Sequence, residues 1–143
     1  QEKVACVQPK VLAFHHTDFF EHAGGSGGFI DRNFYPFCRG RILDVCEADL
    51  GQYNGSCEIF WATGACMLIK SEIFHTLGGF DEDFFAHMEE IDLCWRIKRL
   101  GYRIVVEPES TVFHVGGGTL NYASPTKVYL NFRNNLYMIC KNY

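Results

Sequence analysis

The segment Gly79–Arg96 holds the densest group of side chains able to do acid–base chemistry. Six carboxylates lie between positions 81 and 92, and aromatic and aliphatic residues separate them. Because burial of those neighbours brings some acids close to apolar surface and to one another, the pKa of a carboxyl there rises toward the range of a general base. Glu89 and Glu90 also suit a structural role, since acids in the first turn of a helix offset its dipole. The residue types alone leave both interpretations open.

A second candidate group lies at His114, at the end of a predicted strand. Three glycines follow it at positions 116–118, and they leave the backbone room for a ligand to approach. Catalytic and metal-binding groups in α/β sheets collect at the carboxyl ends of strands. A lone histidine in that place is equally compatible with a structural role.

The elements that must position these residues alternate between strand and helix. Glycine-rich, aromatic loops with a short hairpin are predicted from Thr17 to Asp49. Four strands are predicted: 4–13, which Pro9 breaks, 59–69, which has Gly64 in its middle, 102–106 and 111–114. Three helices are predicted: a short one capped by Ser71, one from Glu89 to Gly101, and one that begins at Ser124-Pro125. We therefore expect an α/β fold with a mixed sheet flanked by helices.

Composition excludes several classes. A chain of 143 residues is long enough for one domain and too short for two ordinary ones. A net charge of −4 without a lysine or arginine stripe argues against nucleic acid as a partner. The seven cysteines are scattered without a Cys-x-x-Cys pair, which favours reduced thiols in the cytosol. No apolar run is long enough for a membrane span, and no export signal is recognisable.

Four blocks of the sequence, taken in order, carry a family resemblance. They are the strand GACMLI, the turn GGFDEDFF, the acidic helix EEIDLCWR and the strand TVFHVGGG. In this order they resemble the second half of the GT-A catalytic domain of bacterial family 2 glycosyltransferases, the rhamnosyltransferase-like group. Weaker similarity reaches back to VQPK and forward to LNFRNNLYMICKNY, so the resemblance covers essentially the whole chain.

The resemblance implies that residues 1–143 are the C-terminal, acceptor-side half of a GT-A domain. The nucleotide-binding half, with its Asp-x-Asp motif, is absent from the sequence. Asp81-Glu82-Asp83 has the letters of that motif but lies in the GGFDE turn, where the family places acceptor-side residues. We therefore expect the chain to be inactive alone, and to self-associate through a sheet edge or an apolar face left without its partner.

The resemblance also implies the catalytic roles. The second acid of the helix motif, here Glu90, is the general base; the family more commonly has Asp there, and Glu89 or Asp92 are possible substitutes. The counterpart of His114 helps to hold Mg²⁺ or Mn²⁺ on the donor diphosphate. Acceptor contacts are implied for four residues, with core packing the alternative for the aromatic one: Gly64, Asp81, Glu82 and Trp95.

The implied reaction is inverting transfer of a sugar from a nucleotide-diphospho-sugar to a glycan or lipid-linked acceptor, as in polysaccharide biosynthesis. Relatives act in the cytoplasm, so peripheral association with the inner membrane is expected by analogy. The spacing of five residues in the last helix suits core packing or a membrane surface, and core packing is favoured: Tyr129, Phe132, Leu136, Ile139 and Cys140. Two rival interpretations remain: a carbohydrate-binding module that uses the loop 23–37, and a glycoside hydrolase with paired carboxylates.

Overall fold

A mixed four-stranded sheet organises the chain in a computed structural model that describes residues 3–116 and 124–143. The strands are β1 (Val4–Ala13), β2 (Gly28–Ile30), β3 (Pro36–Cys38), β4 (Arg41–Ile42), β5 (Val45–Cys46), β6 (Cys57–Ile59), β7 (Leu68–Ile69) and β8 (Arg103–His114). The helices are α1 (Ser71–Thr76), α2 (Glu89–Arg99) and α3 (Pro125–Asn142), and a 3₁₀ turn spans Glu82–Phe84. Gly117 and Gly118 of the predicted glycine run lie outside the described residues.

The sheet has the strand order β6-β8-β1-β7. The central strands β1 and β8 are parallel, and the short outer strands β6 and β7 are antiparallel to their neighbours. Nearly all of β1 is buried, as expected for an apolar strand with neighbours on both sides. The predicted α/β arrangement with a mixed sheet and helices is confirmed.

Two predicted strand breaks are wrong. β1 continues through Pro9, and β8 continues through Pro108, because the pairing register shifts at the same place in both strands. Pro9 faces Glu107 and Lys10 faces Thr111, so residues 108–110 bulge out of the ladder. A bulge is one of the few places where a strand accepts proline, which has no N–H to donate.

The predicted strand 59–69 is also wrong, since the chain there forms two strands on opposite edges of the sheet. β6 pairs with β8 and β7 pairs with β1. Between them Thr63 closes a turn: its hydroxyl accepts from the Ala65 N–H at 3.2 Å, and its carbonyl accepts from the Cys66 N–H at 3.2 Å. The glycine of this segment thus lies in a turn.

The helix at Glu89 is confirmed, and its acids lie in the first turn and its bases in the last. The predicted cap at Ser71 is wrong by one residue, because Lys70 occupies the cap position without a side-chain hydrogen bond. Ser124 precedes α3 as predicted, but it also makes no side-chain cap bond.

The prediction that the apolar residues of α3 pack in the core is wrong for Tyr129, Phe132 and Leu136, which are 62%, 71% and 64% exposed. The buried face of the helix is instead formed by four residues at i, i+4 spacing: Leu130, Asn134, Met138 and Asn142. Two of these are asparagines, so the inward face of α3 combines apolar packing with polar contacts. Across residues 3–116 and 124–143, no helix combines the length and apolarity that crossing a membrane requires.

The predicted loops between β1 and β6 contain two hairpins, β2–β3 and β4–β5. The glycine cluster inside them is required by close packing. A Cβ on Gly28 would lie 2.1 Å from the ring of Trp61, and Gly24 and Gly27 have φ values of 119° and 100°. This loop lies against β1, where the Val11 N–H donates to the Gly25 carbonyl at 2.9 Å.

Self-association should occur through β8. In the part of the chain that the structure describes, Glu107 and residues 111–114 pair with β1 on one side and with no strand on the other, and Phe113 is 52% exposed there. Sedimentation velocity of the chain should show a mass that rises with concentration, since an open edge pairs with other edges. Phe113→Lys should abolish the rise, while Leu50→Lys, at an exposed loop position, should leave it unchanged. A constant monomer mass for the unmodified chain would contradict this.

Candidate active site

The first turn of α2 holds two carboxyl groups that each have one buried oxygen without a hydrogen-bond partner among the described residues. Oε2 of Glu89 and Oε2 of Glu90 are both buried, and neither has a partner among the described residues. Glu90 as a residue is half-buried, but its carboxyl is enclosed, and the carboxyl is what carries the charge. An unpartnered buried carboxyl is costly, so its presence needs an explanation such as a ligand or a catalytic role.

Burial and, after it, the neighbouring charge of Glu89 together raise the pKa of Glu90 from its ordinary value of 4.5 to about 7. Backbone N–H groups at the start of the helix oppose the shift only in part. A carboxyl with this pKa is half-ionised near neutrality, where a general base is most effective.

Glu90 faces the turn between β6 and β7. A Cβ on Gly64 would lie 3.8 Å from Cβ of Glu90 and 3.9 Å from its Cδ, so Gly64 lies against the carboxyl. The structure therefore brings together two of the residues that the sequence assigned to the base and the acceptor site.

A buried amide joins this turn to the glycine loop. Oε1 of Gln8, in β1, accepts from the Thr63 N–H at 2.8 Å, and its Nε2 donates to the Gly24 carbonyl at 3.1 Å. Gln8 is fully buried, so both ends of its amide are used in place of water. The loop that follows Glu21 and the turn that faces Glu90 are thereby held side by side.

His114 ends β8 at the edge of a cleft of about 550 Å³. The cleft is lined by ten further residues besides it, among them three histidines and one acid: Ala13, Phe14, His15, His16, Phe19, Phe20, Glu21, His22, Cys46 and Val115. Nδ1 of His114 lies 3.3 Å from Oε2 of Glu21, within ion-pair distance. No described residue forms a hydrogen bond with that buried nitrogen.

The fit of a metal ion at this cleft is partial. In the described ranges, no three His, Cys, Asp or Glu side chains are grouped so that they could hold one. His114 itself suits a ligand, because its buried Nδ1 faces a carboxylate while the side chain as a whole is 38% exposed. Metal-binding histidines commonly present one nitrogen to a carboxylate and the other to the ion.

Asp92 has a different environment from Glu90. Its carboxylate is fully buried and accepts from Nε of Arg96 at 2.8 Å, Nζ of Lys141 at 2.9 Å and Nδ2 of Asn142 at 2.7 Å. The same Arg96 donates to the carbonyls of Leu77 and Gly79. Asp92 thus joins α2 to α3 and to the turn before the 3₁₀ helix.

The predicted acceptor residues on the GGFDE turn divide into two kinds. Asp81 is used within the protein: its Oδ1 accepts from the Asp83 N–H at 2.9 Å and its Oδ2 from Lys141 at 2.6 Å. The hydrogen bonds from Lys141 and then from that N–H hold the pKa of Asp81 below its ordinary value. Glu82 is exposed and lies free for a contact of the predicted kind.

Trp95 packs against other aromatic side chains, in keeping with the core-packing alternative to an acceptor contact. Its ring stacks on Phe34 at a centroid distance of 5.5 Å and an angle of 22°, and the edge of Phe60 meets it at 5.5 Å. One face of the indole is therefore covered by protein, which leaves it less suited to stack on a sugar.

Three residues near the site were not predicted from the sequence: Gln8, Glu21 and His87. His87 has a buried Nε2 without a hydrogen-bond partner, and burial, followed by the charge of Lys127, lowers its pKa. Lys127 also lowers the pKa of His22, after burial and Arg41, so this lysine lies near both histidines. The one available signal for His87 was its position two residues before Glu89, the first of the two glutamates.

Comparisons with known proteins point to sugar transfer. No family model matches the chain. The chain is 39% identical over 54 residues, which is 38% of its length, to an N-acetylglucosaminyl-diphospho-decaprenol L-rhamnosyltransferase of Mycobacterium tuberculosis. It is 32% identical over 95 residues, or 66% of its length, to the low-salt glycan biosynthesis hexosyltransferase Agl10 of Haloferax volcanii. It is 35% identical over 54 residues, or 38% of its length, to rhamnosyltransferase WbbL of Escherichia coli.

The match is partial on both sides. The chain spans 18%, 31% and 20% of the lengths of these three relatives. It is therefore similar, over part of its length, to curated glycosyltransferases from bacteria and an archaeon.

The burial of Glu90 should reduce stability above neutral pH. Because its folded pKa of about 7 exceeds the ordinary 4.5, the unfolded state loses its proton first, and the free energy of unfolding falls as pH rises through this window. Glu90→Gln removes that loss, so urea unfolding should show the variant gaining up to about 3 kcal/mol over wild type at pH 8 and much less at pH 4. A gain that does not depend on pH would contradict the shifted pKa.

Asp92 should contribute strongly to stability. Asp92→Asn leaves Arg96 and Lys141 without the carboxylate between them, so the free energy of unfolding should fall by about 3 kcal/mol. The matched control is Glu82→Gln on the exposed turn, which should change it by less than about 0.5 kcal/mol. Equal effects of the two variants in urea unfolding would show that the buried network is dispensable.

Proposed function

We propose that this chain is the acceptor-side part of the GT-A domain of an inverting family 2 glycosyltransferase, with Glu90 as the general base. The observation that carries the proposal is the enclosed carboxyl of Glu90 at the start of α2, which has a pKa of about 7 and one oxygen without a hydrogen-bond partner among the described residues, and which faces the turn at Gly64. The partial similarity to rhamnosyl- and hexosyltransferases supports the same reaction class.

Glu90 is preferred over the two other candidate bases for physical reasons. Asp92 accepts three hydrogen bonds from cationic and amide groups, so its charge is already compensated inside the protein. Glu89 has a partner-free oxygen as well, and its charge helps to raise the pKa of Glu90. Glu89 therefore raises the pKa of the base, and Glu90 is the base.

In the proposed step, the carboxylate of Glu90 accepts the proton of an acceptor hydroxyl. The oxygen of that hydroxyl forms a bond to the anomeric carbon of a nucleotide-diphospho-sugar, and the bond from that carbon to the diphosphate oxygen breaks. The electron pair leaves with the nucleoside diphosphate. A single displacement inverts the configuration at the anomeric carbon. The glycine at position 64 leaves room beside the carboxyl for the acceptor.

His114 is the residue of this chain proposed to contact Mg²⁺ or Mn²⁺. Its Nδ1 faces the buried carboxylate of Glu21, which orients the ring. When bound, the cation neutralises charge on the diphosphate leaving group. The remaining ligands, including the Asp-x-Asp motif, would come from the donor-binding half expected in the intact protein.

We also propose a class of acceptor and a cellular location. A glycan or lipid-linked acceptor fits the activity for which the mycobacterial relative is named. Action in the cytoplasm, with peripheral association at a membrane, stays a prediction. Val128, Phe132 and Leu136 form an exposed apolar stripe on α3 of the kind that such an association needs.

The binding-module alternative has one feature in its favour. Tyr35 and Phe37 in the predicted sugar-binding loop are 62% and 45% exposed, although Phe34 is used to pack on Trp95. A binding module needs neither a nucleotide sugar nor a base, and a hydrolase needs no nucleotide. Donor dependence therefore separates the transferase from both, and sugar release without a donor separates the hydrolase from the module.

Turnover should depend on Glu90 in the full-length protein. Glu90→Gln cannot accept the proton, so kcat for nucleoside diphosphate release with Mn²⁺ and a nucleotide sugar should fall about 10²- to 10⁴-fold. For wild type, kcat/KM should rise with pH and level off above about 7, because only the ionised carboxyl is a base. Glu89→Gln should retain the larger part of kcat and move the pH midpoint down, since it removes a charge that raises the pKa of Glu90.

Donor binding, measured by calorimetry, should be unchanged in Glu90→Gln. Full turnover in that variant would show that another residue is the base. The absence of donor-dependent release under all conditions would favour the binding module, and sugar release without a nucleotide donor would favour the hydrolase.

A further inference from the structure

The turn that leads into α2 has a strained backbone. Phe85, His87 and Met88 have φ values of 63°, 70° and 72°, a region that residues other than glycine seldom occupy. At Phe85 the ψ value is −57° and the Ala86 N–H donates to the Phe84 carbonyl at 2.7 Å, which makes a γ-turn of the rare, strained form. Strain of this kind persists only where surrounding contacts determine the conformation.

Those contacts come from Asn134 on α3. This residue is fully buried, and its Nδ2 donates to the carbonyls of Phe84, Ala86 and His87 at 3.0, 2.7 and 2.7 Å. The amide has two hydrogens for three acceptors, so all of its donor capacity is directed at this one turn.

Arg133 reinforces the same arrangement. Its Nε donates to Oδ1 of Asn134 at 2.8 Å, which fixes the orientation of the amide. One terminal nitrogen donates to the carbonyls of Asp83 and Phe84, both at 2.9 Å. Five hydrogen bonds from two adjacent residues therefore hold the carbonyls of the turn.

The start of α2 depends on these hydrogen bonds because it lacks the usual side-chain cap. Met88 occupies the cap position in a left-handed conformation and makes no side-chain cap bond. The direction in which Glu89 and Glu90 leave the turn is thus determined by the backbone before them, and that backbone is held from α3.

We propose that Asn134 is a positioning residue: by holding the strained turn 84–88, it sets the place of the Glu89 and Glu90 carboxyl groups at the start of α2. Its effect on turnover rests on the function proposed above, whereas its effect on the turn does not. Leu130 and Met138, buried on either side of it, supply the apolar packing of α3, so Asn134 is not needed for docking alone.

The test compares Asn134→Ala with a matched control, Asn135→Ala, in the full-length protein. Asn135 is the same residue type on the same helix, and it donates to a carbonyl of a different loop, that of Phe34, at 3.2 Å. Asn134→Ala should lower kcat by about 10- to 100-fold with little change in KM for the donor, because a small displacement of a catalytic group is costly. Asn135→Ala should stay within about 2-fold of wild type.

Hydrogen exchange provides a readout that does not depend on turnover. In Asn134→Ala the amides of residues 85–92 should exchange faster, while those of β1 and β8 remain protected. Adding Phe85→Gly should restore part of kcat and of the protection, because glycine adopts a positive φ without strain and the Phe85 side chain is 82% exposed. Arg133→Gln, at a half-buried position, tests the same arrangement if Asn134→Ala fails to fold.

Unchanged exchange at 85–92, or a loss of protection spread evenly over the sheet, would overturn the proposal. So would a glycine at position 85 that restores nothing. If Glu90→Gln keeps full turnover while exchange at 85–92 still responds to Asn134, the proposed base is wrong and the role of Asn134 in the turn stands.

Discussion

The placement of α2 depends on the buried carboxylate of Asp92. A buried charge is tolerated only when its partners compensate it, and Asp92 has three of them on two helices. Through Arg96 the same network reaches the carbonyls of the turn at residues 77–79, and through Lys141 it reaches Asp81. Helix α2, helix α3 and the turn that carries the 3₁₀ helix are therefore fixed by one set of interactions. Apolar packing below α2 adds stability, but it has no comparable directional preference.

Two acids on the same helix, two positions apart, have opposite environments. Asp92 is fully compensated, whereas Glu90 is enclosed and has an oxygen without a partner. A helix places such residues on different faces, so Asp92 can stabilise the fold while the enclosed carboxyl of Glu90 destabilises it. The stability contributed by Asp92 offsets the cost of enclosing Glu90. A site with a raised carboxyl pKa needs this kind of support close by.

The sequence predicted the features that depend on local pattern and missed those that depend on distant partners. Helix α2 was predictable because its acids, bases and apolar face all agree, and the end of β8 at His114 was predictable from the β-branched run before it. The segment 59–69 was mistaken for one strand, because its apolar residues do not reveal that the two ends pair with different strands. The inward face of α3 was missed for the same reason: Asn134 looks like a surface residue until its carbonyl partners are known. Gly64 and Glu90, 26 residues apart (90 minus 64), meet only in the folded chain.

Besides Arg133, two residues with neutral side-chain amides hold the loops of the site, and their neutrality has a consequence for Glu90. Gln8 joins the turn at Thr63 to the glycine loop, and Asn134 holds the turn before α2. A lysine or arginine head group in either place could bind the same carbonyls, but its charge near Glu90 would favour the carboxylate and lower the pKa. The influences on the Glu90 pKa are instead burial, a like charge and backbone N–H groups, and the raised value follows from them. Of the cationic side chains of α2 and α3, Arg96 and Lys141 are paired with Asp92 and Asp81. Arg133 donates to the carbonyls of Asp83 and Phe84 and is not among the influences on the Glu90 pKa. Amides thus supply rigidity without altering the ionisation that a general base requires.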